Sequence, residues 1–159
     1  MSDMLLLLLV AATAFNGILA GASLDQSIKQ LPARHRIGVV AYSTYAKASD
    51  LGNGILWYAF IGIGAALLTL AAAVLAFVQG INATQSLPLY IAAGLSVLHT
   101  LTTTQAAPIM FSQRQFDHDE VALSAVFNRF ERWQTLRALL QVITFAVLLW
   151  ALVIEKGSV

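Results

Sequence analysis

The sequence predicts an all-α, membrane-embedded four-helix bundle whose long fourth helix projects into the cytoplasm. Three observations predict it. From Leu51 to Gln113 the chain runs 63 residues without one Asp, Glu, Lys or Arg, which is more apolar surface than a soluble domain of this size can hide. Four apolar stretches are each long enough, at 1.5 Å rise per residue, to cross a hydrocarbon core of roughly 30 Å. The basic residues gather in two loops and leave the other connections nearly bare. With 159 residues, 58% of them hydrophobic and 11% charged, the chain has room for a single domain.

The first span covers residues 4–23. No Lys or Arg precedes it, and it exceeds the apolar core of a secretory leader, so it reads as a retained helix. Loop 24–54 carries Ile37, Val40, Ala41, Thr44, Ala48 and Leu51 at helical spacing. That pattern predicts an interfacial amphipathic helix after Pro32, stopped by the turn cluster 50–54. The second span, 55–78, is free of charge. A short uncharged link, 79–86, contains the sequon Asn82-Ala83-Thr84, which matters only in a eukaryotic secretory host. The third span, 87–107, ends in Thr100, Thr102, Thr103, Thr104 and Gln105, and Pro108 is expected to break it. In loop 108–132, Asp117 is expected to start a helix, with Glu120 at capping-box spacing. The stripe Leu123, Val126, Phe127, Phe130 and Trp133 leads into the fourth span, 133–154, giving one helix from about His118 to Ile154.

Loops 24–54 and 108–132 hold Lys29, Arg34, Arg36, Lys47, Arg114, Arg129 and Arg132, against Lys156 alone on the opposite side. This asymmetry places the loops in the cytoplasm and both termini outside it, with a bacterial inner membrane as the expected location. The net charge of +1 offers no field for nucleic acid. The absence of cysteine excludes thiol exchange, iron–sulfur clusters and thiolate zinc sites. Membrane lipids and a lipophilic small molecule are the expected partners. Gly62, Gly64, Ala65 and Ala66 would permit close helix contacts, so a homo-oligomer stays open.

Ionisable side chains at membrane depth need a reason. Asn16, His99, Thr103, Arg137 and Gln141 all fall within roughly 5–15 Å of the cytoplasmic boundary at helical rise. His99 and Arg137 are therefore the candidate catalytic residues: a base or proton donor beside a guanidinium suited to a carboxylate, phenolate or enolate. Asn16, Trp57, Thr103, Trp133 and Gln141 are the candidate substrate-binding residues. Structural roles stand beside these. Arg137 could snorkel to the interface, and His99 could bond its own helix. Asn16 and Gln141 could join helices, and Trp57, Tyr58 and Trp133 could anchor at the interface. No cofactor or metal is expected. His35, His99 and His118 are scattered, and 117–120 reads as a solvated helix start, although ligation through His99 or His118 is left open.

The segment Phe130-Glu131-Arg132-Trp133-Gln134-Thr135-Leu136-Arg137, together with the four-span layout, resembles the small integral-membrane family that includes anthrone oxygenases. That resemblance implies oxygenation of polycyclic phenolic substrates without metal or flavin, with Trp133 and Arg137 at the matching positions. Family members often carry His or Asn between those two, where this chain has Gln134-Thr135-Leu136. Three functions are consistent with these residues. One is a cofactor-independent oxygenase or oxidoreductase acting on a lipophilic aromatic or quinone-like substrate, with Arg137 holding an oxyanion and His99 moving a proton. The second is a non-catalytic binding or transport protein for a lipid or small organic anion. The third is a structural membrane subunit. A pocket closed on the outer side favours the first, a cleft open to both faces the second, and a dry interior the third.

Overall fold

The computed structural model describes residues 2–156, which are almost entirely helical and contain no strand. The helices are α1 (Asp3–Asp25), α2 (Leu31–Ile37), α3 (Val39–Ala48), α4 (Gly54–Val78), α5 (Ala83–Ser112) and α6 (Glu120–Lys156). One π-helical turn, Gln26–Gln30, joins α1 to α2, and another, Ser49–Asn53, joins α3 to α4.

Local chemistry sets the ends. Ser2 caps α1 by accepting from the Leu5 amide at 3.3 Å. After α4, Gly80 takes φ +64°, which lets the Ile81 amide fold back onto the Ala76 carbonyl at 3.1 Å. Asn82 of the sequon then caps α5, accepting from the Gln85 amide at 3.0 Å.

Three local expectations need correction. Pro108 lies inside α5 and does not break it. The ring removes one backbone hydrogen bond, but Ala106, Ile109 and Met110 around it are buried in the core, and packing outweighs that loss. The cap of α6 is Asp119, whose carboxylate accepts from the amides of Val121 and Ala122 at 3.1 and 2.9 Å. Asp117 instead pairs with Lys47 at 2.6 Å, and that ammonium holds its carboxyl below the usual value. The predicted amphipathic helix is split by Gly38 at φ +87° into α2 and α3. Of its supposed inner face, Ile37, Ala41, Thr44 and Ala48 point outward, while Val40 packs against the core and Leu51 is buried in it. Tyr42, Ser43 and Ala46 are buried instead. The hidden signal is aromatic packing, because Tyr42 meets Phe127 edge to face at 4.9 Å.

The four long helices form a ring in the order α1, α4, α5, α6, with each neighbour antiparallel. Ser2 and Gln79 hydrogen-bond at the end away from the two basic loops, which fixes α1 against α4 there. α4 and α5 are the least closely packed neighbours. Away from the loops, Leu5, Leu9, Ala72, Ala76, Leu89 and Leu148 fill the interior. At the loop end, Leu31, Tyr42, Met110, Leu123, Phe127 and Phe130 make a second core under α2 and α3. Arg34 ties that layer to α6: it is buried, and it donates to the Leu31 carbonyl (2.8 Å), Asn128 (3.1 Å) and Glu131 (2.7 Å).

α1, α4 and α6 are each long and apolar enough to cross a membrane, as expected of an integral membrane protein. Their outward faces carry exposed Leu7, Leu56, Phe60, Leu67, Phe77 and Val153, which water would not tolerate in such density. Two glycines of α4 illustrate the packing. A Cβ on Gly64 would meet the Phe15 ring at 2.6 Å, whereas one on Gly62 meets nothing within 4 Å. Gly64→Val is expected to cost about 1–3 kcal/mol. Gly62→Ala should be neutral or stabilising by up to about 1 kcal/mol. Thermal unfolding in one detergent checks the contrast.

Candidate functional site

Between the two cores lies a cavity of about 650 Å³, within the range of roughly 300–1,000 Å³ common to small-molecule sites. Its walls come mainly from α4 and α5, with Leu19 of α1 and Phe130 and Arg137 of α6 behind them. Most of that wall is apolar. The polar groups facing it are Tyr58, Ser96, His99, Thr100, Thr103 and Arg137, with Gln26 and Asp50 at the loop end.

His99 and Arg137, from separate helices, line this same cavity, and Thr103 stands one turn beyond His99. His99 is 7% exposed, and its Nε2 has no hydrogen-bond partner. Its carbonyl accepts the hydroxyls of Thr102 (2.8 Å) and Thr103 (3.0 Å), so the Thr103 proton is spent within its own helix. That leaves the Thr103 oxygen lone pairs for another donor.

Arg137 donates from Nη1 to Gln134 Oε1 at 3.0 Å. Its Nε is buried without a partner. Among the described residues no carboxylate lies within ion-pair distance of it. Gln134 is itself buried and donates to the Ser23 carbonyl of α1 at 3.3 Å. The side chain of Arg137 is thus held from one edge only, leaving the Nε edge free. An unpaired cation against apolar walls is costly, and an anion would relieve that cost.

Asn16 and Gln141 do not reach the cavity. Asn16 donates to the Ala12 carbonyl (2.8 Å) and to Thr69 Oγ1 (2.9 Å), and accepts from Gln141 Nε2 at 2.7 Å. Thr69 donates to the Ala65 carbonyl at 2.7 Å. Three helices, α1, α4 and α6, are joined by this buried network. Trp57 is 51% exposed on the outer surface of α4 and lines no part of the cavity. Trp133 sits on a separate shallow groove between α5 and α6, beside Thr102, Gln105 and Leu136.

Gln134, Gln26 and Asp50 were missed in the sequence. Gln134 stands three residues before Arg137, a helical-neighbour spacing that was open to view. Gln26 and Asp50 meet through a hydrogen bond of 3.2 Å between the two π-turns, at a separation no local pattern encodes. They floor the cavity at the loop end with Leu51, whose carbonyl accepts from Arg114 at 3.1 Å. No protein-family model, curated protein or solved structure matches this chain, so the functional reading rests on the residues and their geometry.

Proposed function

We propose that this chain is a four-span membrane protein whose cavity binds a lipophilic molecule through an anionic oxygen held by Arg137. Loops 24–54 and 108–132 then lie in the cytoplasm with both termini outside, which the distribution of basic residues supports. One observation carries the binding proposal: Arg137, with no carboxylate within ion-pair distance among the described residues, lines a cavity with apolar walls. The packed core at the end remote from the loops supports a dead-end pocket over a path through the protein.

A catalytic reading is favoured by a second observation: His99 lines the same cavity, and its buried Nε2 has no hydrogen-bond partner. A neutral imidazole there would take a proton from an acidic C–H or O–H of the bound molecule, and Arg137 would hold the resulting oxyanion. In an oxygenation, molecular oxygen would be the oxidant, converting an activated CH₂ to a carbonyl with release of water.

The test is equilibrium dialysis of octanoate and of naphtholate against the protein in nanodiscs. A charge-assisted hydrogen bond contributes about 1.5–3 kcal/mol. Arg137→Gln should therefore weaken at least one of these anions by roughly 10- to 100-fold while sparing neutral analogues. Equal binding of both anions to wild type and variant would remove the proposal. His99→Ala separates the two readings, since a pure binding site tolerates it and a proton-transfer site loses turnover.

A further inference from the structure

On the outer surface where α5 meets α6, we infer a site for an anionic phospholipid of the cytoplasmic leaflet. Arg129 and Arg132 hold its phosphate, and an acyl chain lies in the groove beneath them. Binding there depends on the membrane orientation proposed above and on nothing in the Arg137 cavity.

The groove is walled by Leu98 and Leu101 of α5 and by Trp133, Leu136 and Leu140 of α6. The two helices run antiparallel, so Gln105 and Trp133 stand at its loop end and Leu98 and Leu140 at its deeper end. Leu98, Leu101 and Leu136 are exposed, as is Leu139 beside them. In a bilayer such a surface meets acyl chains. The hydroxyls of Thr102 and Thr104 on the same wall are spent on carbonyls of their own helix, at 2.8 and 2.7 Å. The groove therefore asks for an apolar occupant along its length.

The charge at its mouth comes from the helical repeat of α6. Arg129, Trp133, Leu136 and Leu140 follow one another at four, three and four residues, which puts them on one face. Arg132 stands one turn above Leu136. Both arginines are exposed. They lie roughly 1.5 and 6 Å beyond Trp133 at helical rise, which is the level of lipid headgroups. Among the described residues neither has a carboxylate within ion-pair distance. Glu131, next to Arg132 in the chain, is taken by the buried Arg34 at 2.7 Å. No position three or four residues from either arginine is acidic, and they are three residues from each other. Two like charges at that spacing repel, and a phosphate between them removes the repulsion. An anionic phospholipid answers both the cations above and the leucines below. A zwitterionic lipid brings its own ammonium to the same place and forfeits most of that gain.

The experiment reads Trp133 fluorescence in a Trp57→Phe/Trp150→Phe protein in detergent micelles. Phosphatidylglycerol or phosphatidylcholine with brominated acyl chains is titrated in as the quencher. Phosphatidylglycerol should quench Trp133 at a concentration about tenfold or more below that of phosphatidylcholine. Arg129→Gln/Arg132→Gln should keep the melting temperature and lose this preference. Arg36→Gln removes an exposed cation elsewhere at the same end of the bundle and should keep it, as should Arg137→Gln. Glycerol 3-phosphate should not displace the lipid. Equal quenching by the two lipids overturns the site. So does a preference that Arg36→Gln lowers as much as the double variant, because attraction is then a property of the whole basic end. Displacement by glycerol 3-phosphate overturns the lipid in favour of free phosphate. Quenching by neither lipid also overturns it, and a dimeric elution volume would then name a second copy as the cover of the groove.

Discussion

Arg137→Met is expected to abolish anion binding and, at the same time, to stabilise the bundle. The guanidinium is held by Gln134 alone and has no carboxylate within reach among the described residues. A charge desolvated in this way opposes folding, and apolar replacements of buried charges are often stabilising by about 1–4 kcal/mol. Against this stands the loss of one hydrogen bond to Gln134, worth about 1 kcal/mol. The net expectation is a gain of about 1–2 kcal/mol, or roughly 2–8 °C in melting temperature for a chain of this size. Anion affinity should fall roughly 100-fold. Opposite movement of stability and binding marks a residue retained for function. A melting temperature that drops with Arg137→Met would show that Arg137 is structural glue, and the site would lose its rationale.

Asn16→Leu should produce the reverse pattern, a large loss of stability with ligand binding intact per folded molecule. The amide links α1 to α4 through Thr69 and to α6 through Gln141, at 2.9 and 2.7 Å, in a wholly buried setting. Interhelical polar contacts in membranes contribute about 0.6 kcal/mol on average and up to about 1.7 each. Loss of two of them, with the Gln141 amide left short of its best acceptor, should cost about 2–3 kcal/mol. The double variant Asn16→Leu/Gln141→Leu should cost less than the two single variants together, because removing both partners leaves no orphaned group. Strict additivity in steric-trap or thermal unfolding would mean the two amides act separately.

The contrast between these two residues shows where the sequence was legible. Asn16, Gln141, His99 and Arg137 all stand out as polar groups inside apolar helices, and depth alone groups them. Depth is a one-dimensional coordinate. It cannot say that Asn16 and Gln141 turn toward each other while His99 and Arg137 turn toward an empty space. That distinction depends on the rotation of each helix about its own axis, which packing sets. The same cause explains α3, where the apolar stripe through Ala41 and Thr44 faces outward because Tyr42 and Ala46 fit the gap beside Phe127 and Met110. Trp57 and Trp133 share the site's level only: Trp57 stands on the outer surface, and Trp133 is half-buried against the loop-end core beside a separate groove.

Helix identity and extent followed from hydrophobic runs and capping chemistry. α6 runs Glu120–Lys156 against an expected start near His118. The shift comes from Asp119, whose carboxylate wins the cap because Asp117 is drawn away by Lys47 on α3. α5 continued through Pro108 because neighbours in space compensate for a bond its own sequence cannot make.

By itself the sequence determined that this chain is helical, apolar on its outside and basic at one end, since these properties are sums over local composition and survive any arrangement of the helices. Only the tertiary structure decided that α4 and α5 are the loosest neighbours, that Gln134 holds one edge of Arg137, and that His99 and Arg137 line one apolar cavity. Such facts are differences between contacts made and contacts left unmade, and no stretch of chain contains both sides of a contact.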